Sequence, residues 1–246
     1  MAFAIANVLH EAVGHGGACV LTGGHARVLS TVHFECDHVG RVIAAGGTLA
    51  NFSAGFLCWI AVRRVHPAAA HARYFVWLLM TINLLQGAGY FLFSGAADFG
   101  DWADVINGLE PRWLWRTALT VGGAVSYVLL VWLALLELRR FLGPHEYRRG
   151  AAGDLTIIPY LSGGLLYTVA GLFNPVGMIL VGLSAAAASF GGTSGMAWMT
   201  QYLGTALIAQ TVSEPLALPR NRGWIIAAFT TATIFVGVLG PGVQFH

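Results

Sequence analysis

Residues 2 to 21 read AFAIANVLHEAVGHGGACVL, an apolar stretch that contains His10, Glu11 and His15. About 20 consecutive apolar residues are enough to cross the hydrocarbon core of a bilayer as a helix. Ionisable side chains are costly inside such a helix, so they usually pair, bind a metal or line a functional site. The stretch therefore predicts a membrane helix that carries a polar site. No basic side chain precedes it, so we expect it to be retained rather than cleaved as a signal peptide.

The rest of the chain has the composition of a membrane protein. Of its 246 residues, 57% are hydrophobic and 10% are charged, whereas a soluble domain carries roughly 25% charged residues. The net charge of +2 gives no basis for nucleic-acid binding. We expect a multi-pass protein of a bacterial-type cell membrane, surrounded by lipid. Its cysteines, Cys19, Cys36 and Cys58, lack metal-type spacing and are predicted to be small buried hydrophobic residues.

Other apolar stretches predict the remaining membrane spans. They cover residues 42–62, 74–95, 114–136, 155–190 and 223–239. The stretch 155–190 is too long for one span, and Asn174-Pro175 is expected to divide it because proline breaks the helical hydrogen-bond ladder. Residues 196–212 are either a further span or a half-buried helix. The predicted fold class is all-α, a polytopic transmembrane helix bundle of about six or seven spans.

The connection after the first span is not predicted to be helical. Residues 25–39 alternate partly between apolar and polar side chains and are bounded by glycines, which indicates a short extended hairpin. Arginine placement predicts the orientation, since cytoplasmic loops are enriched in basic residues. The loops after the second and fourth spans hold Arg63, Arg64, Arg73, Arg139, Arg140, Arg148 and Arg149. These loops, and with them the N-terminus, are predicted to be cytoplasmic.

The sequence His10-Glu11-Ala12-Val13-Gly14-His15 is the strongest indication of chemistry. Two imidazoles and a third protein ligand can hold zinc while a glutamate acts as general base. The usual spacing, H-E-x-x-H, places the histidines four residues apart on one helical face. Here they are five apart, and a regular helix would leave the rings roughly 140° apart. A shared metal therefore requires non-α backbone between Ala12 and His15, either a π-bulge near Gly14 or a helix that ends near Val13.

The second span contains Gly47-Thr48-Leu49-Ala50-Asn51, a G-x-x-x-N pattern. A His-Glu helix, a glycine-bounded hairpin and a G-x-x-x-N helix thus follow one another. In this order of elements the first 105 residues or so resemble the site-2 protease family of intramembrane zinc metallopeptidases, with H-E-x-x-x-H in place of H-E-x-x-H. The resemblance implies a metallopeptidase-like membrane core in residues 1–105. Residues 106–246 would add further transmembrane helices to the same membrane domain.

The resemblance also implies roles for individual residues. Glu11 would be the general base, and Zn²⁺ would be bound by His10, His15 and an aspartate that follows the third span. That aspartate is Asp101 or Asp98, neither of which matches the family's N-x-x-P-x-x-x-L-D-G pattern. Asp101 beside Trp102 could equally be an interfacial anchor. Asn51 and Gly47 would help to hold substrate near the metal.

Three functions agree with these features. The first is an intramembrane zinc metallopeptidase that cleaves a peptide bond of a membrane protein in or near the bilayer. The second is a catalytically inactive relative that serves as a membrane scaffold or assembly subunit, which the irregular histidine spacing and the missing Asp-Gly motif favour. The third is a transporter or metal-handling protein in which His10, Glu11 and His15 line a polar path.

Overall fold

The computed structural model describes residues 1–66, 68–140, 142, 148–175, 177, 181–203 and 218–245. Helices make up most of these residues. Five helices in the described part of the chain are long and apolar enough to cross a membrane, namely Arg41–Val62, Ala70–Ala97, Arg112–Arg139, Ala152–Leu172 and Arg222–Leu239. The chain is therefore a helical membrane protein, as its composition predicts.

The first predicted span is a continuous but irregular helix. It consists of α1 (Ala2–Val8), a π-helix that we call π1 (Leu9–Gly16), and α2 (Gly17–Leu21). Two short strands follow, β1 (Ala26–Leu29) and β2 (Phe34–Cys36). The remaining elements are α3 (Arg41–Val62), α4 (Ala70–Ala97), α5 (Asp101–Val105), α6 (Arg112–Arg139), α7 (Arg148–Leu172), π2 (Val181–Gly191), α8 (Gly195–Trp198), a 3₁₀ helix (Met199–Tyr202), α9 (Arg222–Ile234), π3 (Phe235–Leu239) and β3 (Val243–Gln244).

Two regions of the C-terminal half follow the sequence pattern closely. Helix α7 ends at Leu172, two residues before Asn174-Pro175, so the predicted division of the long apolar stretch is present. The uncertain stretch 196–212 begins as α8 and the 3₁₀ helix, while its part from 204 onward lies outside the described residues.

Helix α4 lies at the centre of the bundle. Within its apolar window 61% of the residues are buried, against 28% for α3, 33% for α6 and 6% for the last helix. Its side chains Trp77, Met80, Ile82 and Leu85 have no exposed surface. The outer helices instead expose apolar side chains, such as Phe229 of α9. Such faces suit a surrounding of lipid, in which apolar groups need no cover.

The two ends of the bundle differ in character. At one end the Arg63 guanidinium bonds Glu137 through Nε at 2.9 Å, and Arg139 donates to the carbonyls of Tyr202 and Leu203. We call this the arginine-rich end. At the other end, strand β1 pairs antiparallel with both β2 and the C-terminal strand β3. We call this the hairpin end, and it also carries α5.

The cysteine prediction was wrong in part, because Cys19 is fully buried as expected but is not a free thiol. Cys19 at the end of the first helix and Cys36 in β2 form a disulfide, whereas Cys58 is free and half-buried. The two partners lie 17 residues apart, and they meet only because the hairpin folds back onto the helix. The disulfide thus anchors the hairpin end to the helix that carries His10 and His15.

Candidate metal centre

The π-helix brings the two histidines of the motif together. A π-helix repeats its hydrogen bonds at i→i+5 rather than i→i+4, so residues five apart lie on one face. His10 Nε2 and His15 Nε2 are 3.2 Å apart, and the two rings meet at 83°. The predicted departure from α-helix between Ala12 and His15 is confirmed. It is longer than a single bulge, since it covers the eight residues Leu9–Gly16.

Glycines allow the second span to approach this π-helix at backbone contact. A Cβ added to Gly14 would lie 2.5 Å from Gly47 Cα and 2.6 Å from the carbonyl oxygen of Gly46. A Cβ on Gly47 would lie 2.6 Å from the Nε2 atoms of both His10 and His15. Gly47 therefore packs directly against the two imidazoles, and any side chain at this position would occupy the space between them. Small residues at such crossings are the usual means of close helix packing in membranes.

Asp101 completes a group of three candidate ligands. Its Oδ2 lies 3.1 Å from His10 Nε2 and 3.4 Å from His15 Nε2. The turn before α5 directs this carboxylate inward, because Asp98 and Gly100 both adopt positive φ values, 53° and 88°.

Asp98, the other predicted candidate, faces a different partner. Its carboxylate accepts hydrogen bonds from Arg112 at 2.6 and 3.2 Å and lies 3.5 Å from Arg116. The arginine hydrogen bonds lower the pKa of Asp98, against a smaller opposing effect of burial. The structure thus brings Asp101 and not Asp98 to the histidines.

A chain of hydrogen bonds fixes which nitrogen of His10 carries the proton. The Asn83 amide donates to the carbonyl of Leu79 at 2.8 Å, which can only accept. Asn83 Oδ1 then accepts from the Asn51 amide at 2.8 Å, and Asn51 Oδ1 lies 2.6 Å from His10 Nδ1. His10 must therefore donate from Nδ1, which leaves its Nε2 unprotonated and facing the site in the neutral ring.

His15 is held in the same way by the backbone. Its Nδ1 lies 2.7 Å from the carbonyl oxygen of Ile43, so Nδ1 again donates and Nε2 points inward. Two nitrogen lone pairs and one carboxylate oxygen converge as a result. Asp101 Oδ2 is buried and has no well-formed hydrogen bond to any residue in the described ranges. Such a cluster of acceptors requires a cation or a shared proton.

The donor set fits zinc in both chemistry and size. Catalytic zinc sites use three protein ligands drawn from histidine and carboxylate. With Zn–N and Zn–O bonds of about 2.0–2.2 Å and tetrahedral angles, the ligand atoms should be roughly 3.3 Å apart. The separations observed here are 3.1, 3.2 and 3.4 Å. His10, His15 and Asp101 could therefore hold a divalent metal with little rearrangement.

Glu11, the predicted general base, lies beside this group. It is 5% exposed and lines a cavity of about 1200 Å³ together with His10, His15 and Asp101. The cavity continues past Phe34 of β2 to Val39 and Gly40, which are exposed. It is therefore open at the hairpin end of the bundle.

The two residues predicted to hold substrate lie against the candidate ligands. Asn51 is fully buried and bonds the back of His10, while Gly47 lies beneath the imidazoles. Both residues therefore support the candidate metal ligands: Asn51 orients the His10 ring, and Gly47 leaves room for the two imidazoles.

Three residues of α4 belong to the site but were not predicted from the sequence. Asn83 anchors the hydrogen-bond chain, Gln86 lines the cavity, and the Tyr90 ring stacks on His10 at 4.4 Å. Their spacing of three and four residues puts them on one helical face. Polar residues at helical spacing within an apolar span are the signal that could have revealed them.

No family model, no curated protein and no solved structure matches this chain.

Proposed function

We propose that the protein is a zinc-dependent membrane peptidase whose chemistry is similar to that of site-2 proteases. The observation that supports this most strongly is the convergence of His10 Nε2, His15 Nε2 and an Asp101 oxygen within 4.8 Å of one another. Glu11 lies beside them, and a cavity connects all four residues to the hairpin end.

Each residue has a defined part in this proposal. His10, His15 and Asp101 would hold the metal, a set of three protein ligands that is typical of catalytic rather than structural zinc sites. Bound zinc supplies Lewis-acid chemistry and makes water nucleophilic near neutral pH. Glu11 accepts the proton of the attacking water and passes it to the leaving amine. Asn51 and Ile43 keep the imidazoles oriented.

The cavity supports a peptide as substrate. Its volume of about 1200 Å³ exceeds the roughly 300–1,000 Å³ of common small-molecule sites. Its walls include the aromatic rings of Phe34, Tyr90 and Phe93, which suit apolar side chains from a membrane protein. We therefore infer that the scissile bond lies at the membrane surface or just within the bilayer.

We infer the orientation of the chain from the character of its two ends. A cytoplasmic arginine-rich end places the hairpin end outside the cytoplasm of a bacterial-type cell. The Cys19–Cys36 disulfide agrees with this, because disulfides persist in oxidising compartments. Strand β3 holds the C-terminus at the hairpin end, opposite the predicted side of the N-terminus, which requires an odd number of crossings. We propose seven, formed by 2–21, α3, α4, α6, α7, 181–203 and Arg222–Leu239.

Mutation of Glu11 tests the proposal directly. Purified protein in detergent is incubated with fluorescently labelled casein, an unstructured substrate, and its zinc content is measured by mass spectrometry. Glu11→Gln should lower cleavage by about 10²- to 10⁴-fold and leave zinc bound, because Glu11 is not a ligand. His10→Ala and Asp101→Asn should lose zinc and activity together. Glu110→Gln, a change at an exposed glutamate, is the matched control.

The same experiment separates the peptidase from the alternatives. Full cleavage by Glu11→Gln would end the peptidase proposal. A wild-type protein with neither zinc nor cleavage would leave the inactive scaffold as the better description. Cation uptake into liposomes without any cleavage would favour the transporter.

A further inference from the structure

Two buried oxygen atoms, on Asn7 and Thr31, lie at a small cavity that Glu11 also lines. Asn7 is 5% exposed and Thr31 is 3% exposed. Neither Asn7 Oδ1 nor Thr31 Oγ1 has a hydrogen-bond partner among the residues that the structure describes. The two side chains are neighbours, since Asn7 Nδ2 donates to the backbone carbonyl of Thr31 at 3.0 Å. Unpaired buried oxygens are destabilising and rare in native proteins, so such a pair indicates a ligand.

A small cavity lies at this position. It offers about 10 Å³ to the centre of a water molecule and is lined by Asn7, Glu11, Thr31, Gln86 and Tyr167, among others. A buried water needs roughly 10–15 Å³ by this measure, and two to four polar partners. The cavity therefore has the size of one water and more than enough polar groups to hold it. It adjoins the large cavity that opens at the hairpin end, and Glu11 is one of six residues that line both.

We propose that one water molecule binds in this cavity and links the hairpin to Glu11. The water donates one hydrogen bond to Asn7 Oδ1 and one to the Glu11 carboxylate, and it accepts one from the Thr31 hydroxyl. Both unpaired oxygens gain a partner in this way, and the donors and acceptors balance. The ligand is no larger than water, because the cavity offers only about 10 Å³.

The proposed water gives Thr31 a positioning role, an inference that rests on the proposed function. A hydrogen bond to one carboxylate oxygen of Glu11 would orient the other oxygen toward the metal site. Thr31 itself is fixed, because its backbone N–H donates to the carbonyl of Leu239 at 3.1 Å. The turn of the hairpin and the last helix would thus determine the orientation of the general base.

Removal of the Thr31 hydroxyl tests this role. Thr31→Val keeps the shape of the side chain and removes its donor, whereas Thr31→Ser keeps the donor. We expect Thr31→Val to lower kcat for casein cleavage about tenfold, a typical effect of losing such a supporting group, with KM and zinc content unchanged. Thr31→Ser should restore most of kcat. Thr156→Val is the matched control, since Thr156 is fully buried and its hydroxyl bonds only its own helix.

A high-resolution structure of the wild type provides a readout that does not depend on cleavage. Solvent density between Asn7 Oδ1 and Thr31 Oγ1 that disappears in Thr31→Val would support the water site even if the wild type cleaves nothing. Failure of the peptidase proposal would therefore remain distinguishable from failure of this one. An empty cavity in well-resolved wild-type density, or wild-type kcat in Thr31→Val, would overturn the inference.

Discussion

The candidate metal site depends on acceptors that hold the far side of each imidazole. Asn51 and the carbonyl of Ile43 each take up one Nδ1 proton, so both Nε2 atoms are left as metal donors. The support of Asn51 comes in turn from Asn83, one helix further away. Such outer partners of metal ligands set ring orientation and basicity, and their loss commonly weakens metal binding. The chain of His10, Asn51, Asn83 and Leu79, from three spans, thus leaves His10 Nε2 as an acceptor.

Asn83→Leu should therefore weaken zinc binding without touching a ligand. Loss of the Asn83 side-chain amide leaves the Asn51 amide free to rotate. His10 Nδ1 then no longer meets a fixed acceptor. We expect the zinc affinity, measured by competition with a chelator, to fall about 10- to 100-fold. Asn107→Ala, at an exposed asparagine, should leave the affinity unchanged. Equal affinity in Asn83→Leu and the wild type would show that the hydrogen-bond chain from Asn83 through Asn51 to His10 does not support the site.

Asp98 permits a second test at the residue scale, because its backbone φ of 53° suits asparagine as well as aspartate. Asp98→Asn then removes the charge that faces Arg112 and Arg116 and retains the turn. The arginine hydrogen bonds lower the pKa of Asp98 in the folded protein. Its ion pair therefore stabilises the fold above the unfolded pKa of about 3.9 and is lost as the pH falls below it. Thermal melting should show the wild type as more stable at pH 7, and the difference should shrink as the pH falls below about 3.9 and through the lowered pKa of the folded protein. A difference that persists at low pH would contradict this.

At the scale of elements, the crossing of π1 and α3 decides whether the site can form. Gly14 lies against the backbone of Gly46 and Gly47, with no flexible side chain that could move aside. Gly14→Ala should therefore force the two helices apart. We expect a loss of about 1–3 kcal/mol in unfolding free energy and a loss of stoichiometric zinc.

Gly17→Ala provides the matched control for this prediction. Gly17 lies one residue beyond π1, and a Cβ there meets nothing within 4 Å. Because alanine favours helix over glycine, this variant should be neutral or more stable by up to about 1 kcal/mol. Zinc retention by Gly14→Ala at wild-type stability would mean that the helices do not cross as closely as described.

The same elements show how far the sequence could predict the site. The five-residue histidine spacing was sufficient to predict non-α backbone, because a shared metal imposes a geometric condition on local structure. The choice between Asp98 and Asp101 was not predictable, since it depends on the left-handed turn at Asp98 that rotates Asp101 inward. The pairing of Cys19 with Cys36 and of β1 with β3 likewise depends on folding back over long distances. Short strands of two to four residues carry too little periodicity to reveal such contacts.

At the scale of the whole molecule, the two ends carry different kinds of stabilisation. The arginine-rich end is joined by Glu137, which is almost fully buried and accepts hydrogen bonds from Trp59 and Arg63. A buried carboxylate of this kind is tolerated only with such partners. The hairpin end is joined by backbone pairing and the disulfide and holds the open cavity. Substrate entry would therefore occur on the side that contains the Cys19–Cys36 bond.

Reporter fusions test this arrangement of the whole chain. A reporter that is active only outside the cytoplasm should be active after Asn107 and after Phe245, which both lie at the hairpin end, and inactive after Arg140 at the arginine-rich end. The result at Phe245 is the most informative, because β3 pairs antiparallel with β1 at Val28 and Leu29 and so fixes the C-terminus beside the hairpin. A cysteine-reactive reagent on intact cells provides the control, since Cys36, which is half-buried and disulfide-bonded, should react only after reduction. If the fusions after Phe245 and Arg140 report the same side, the number of crossings between them is even, and both the seven-span topology and the outward-facing cavity are wrong.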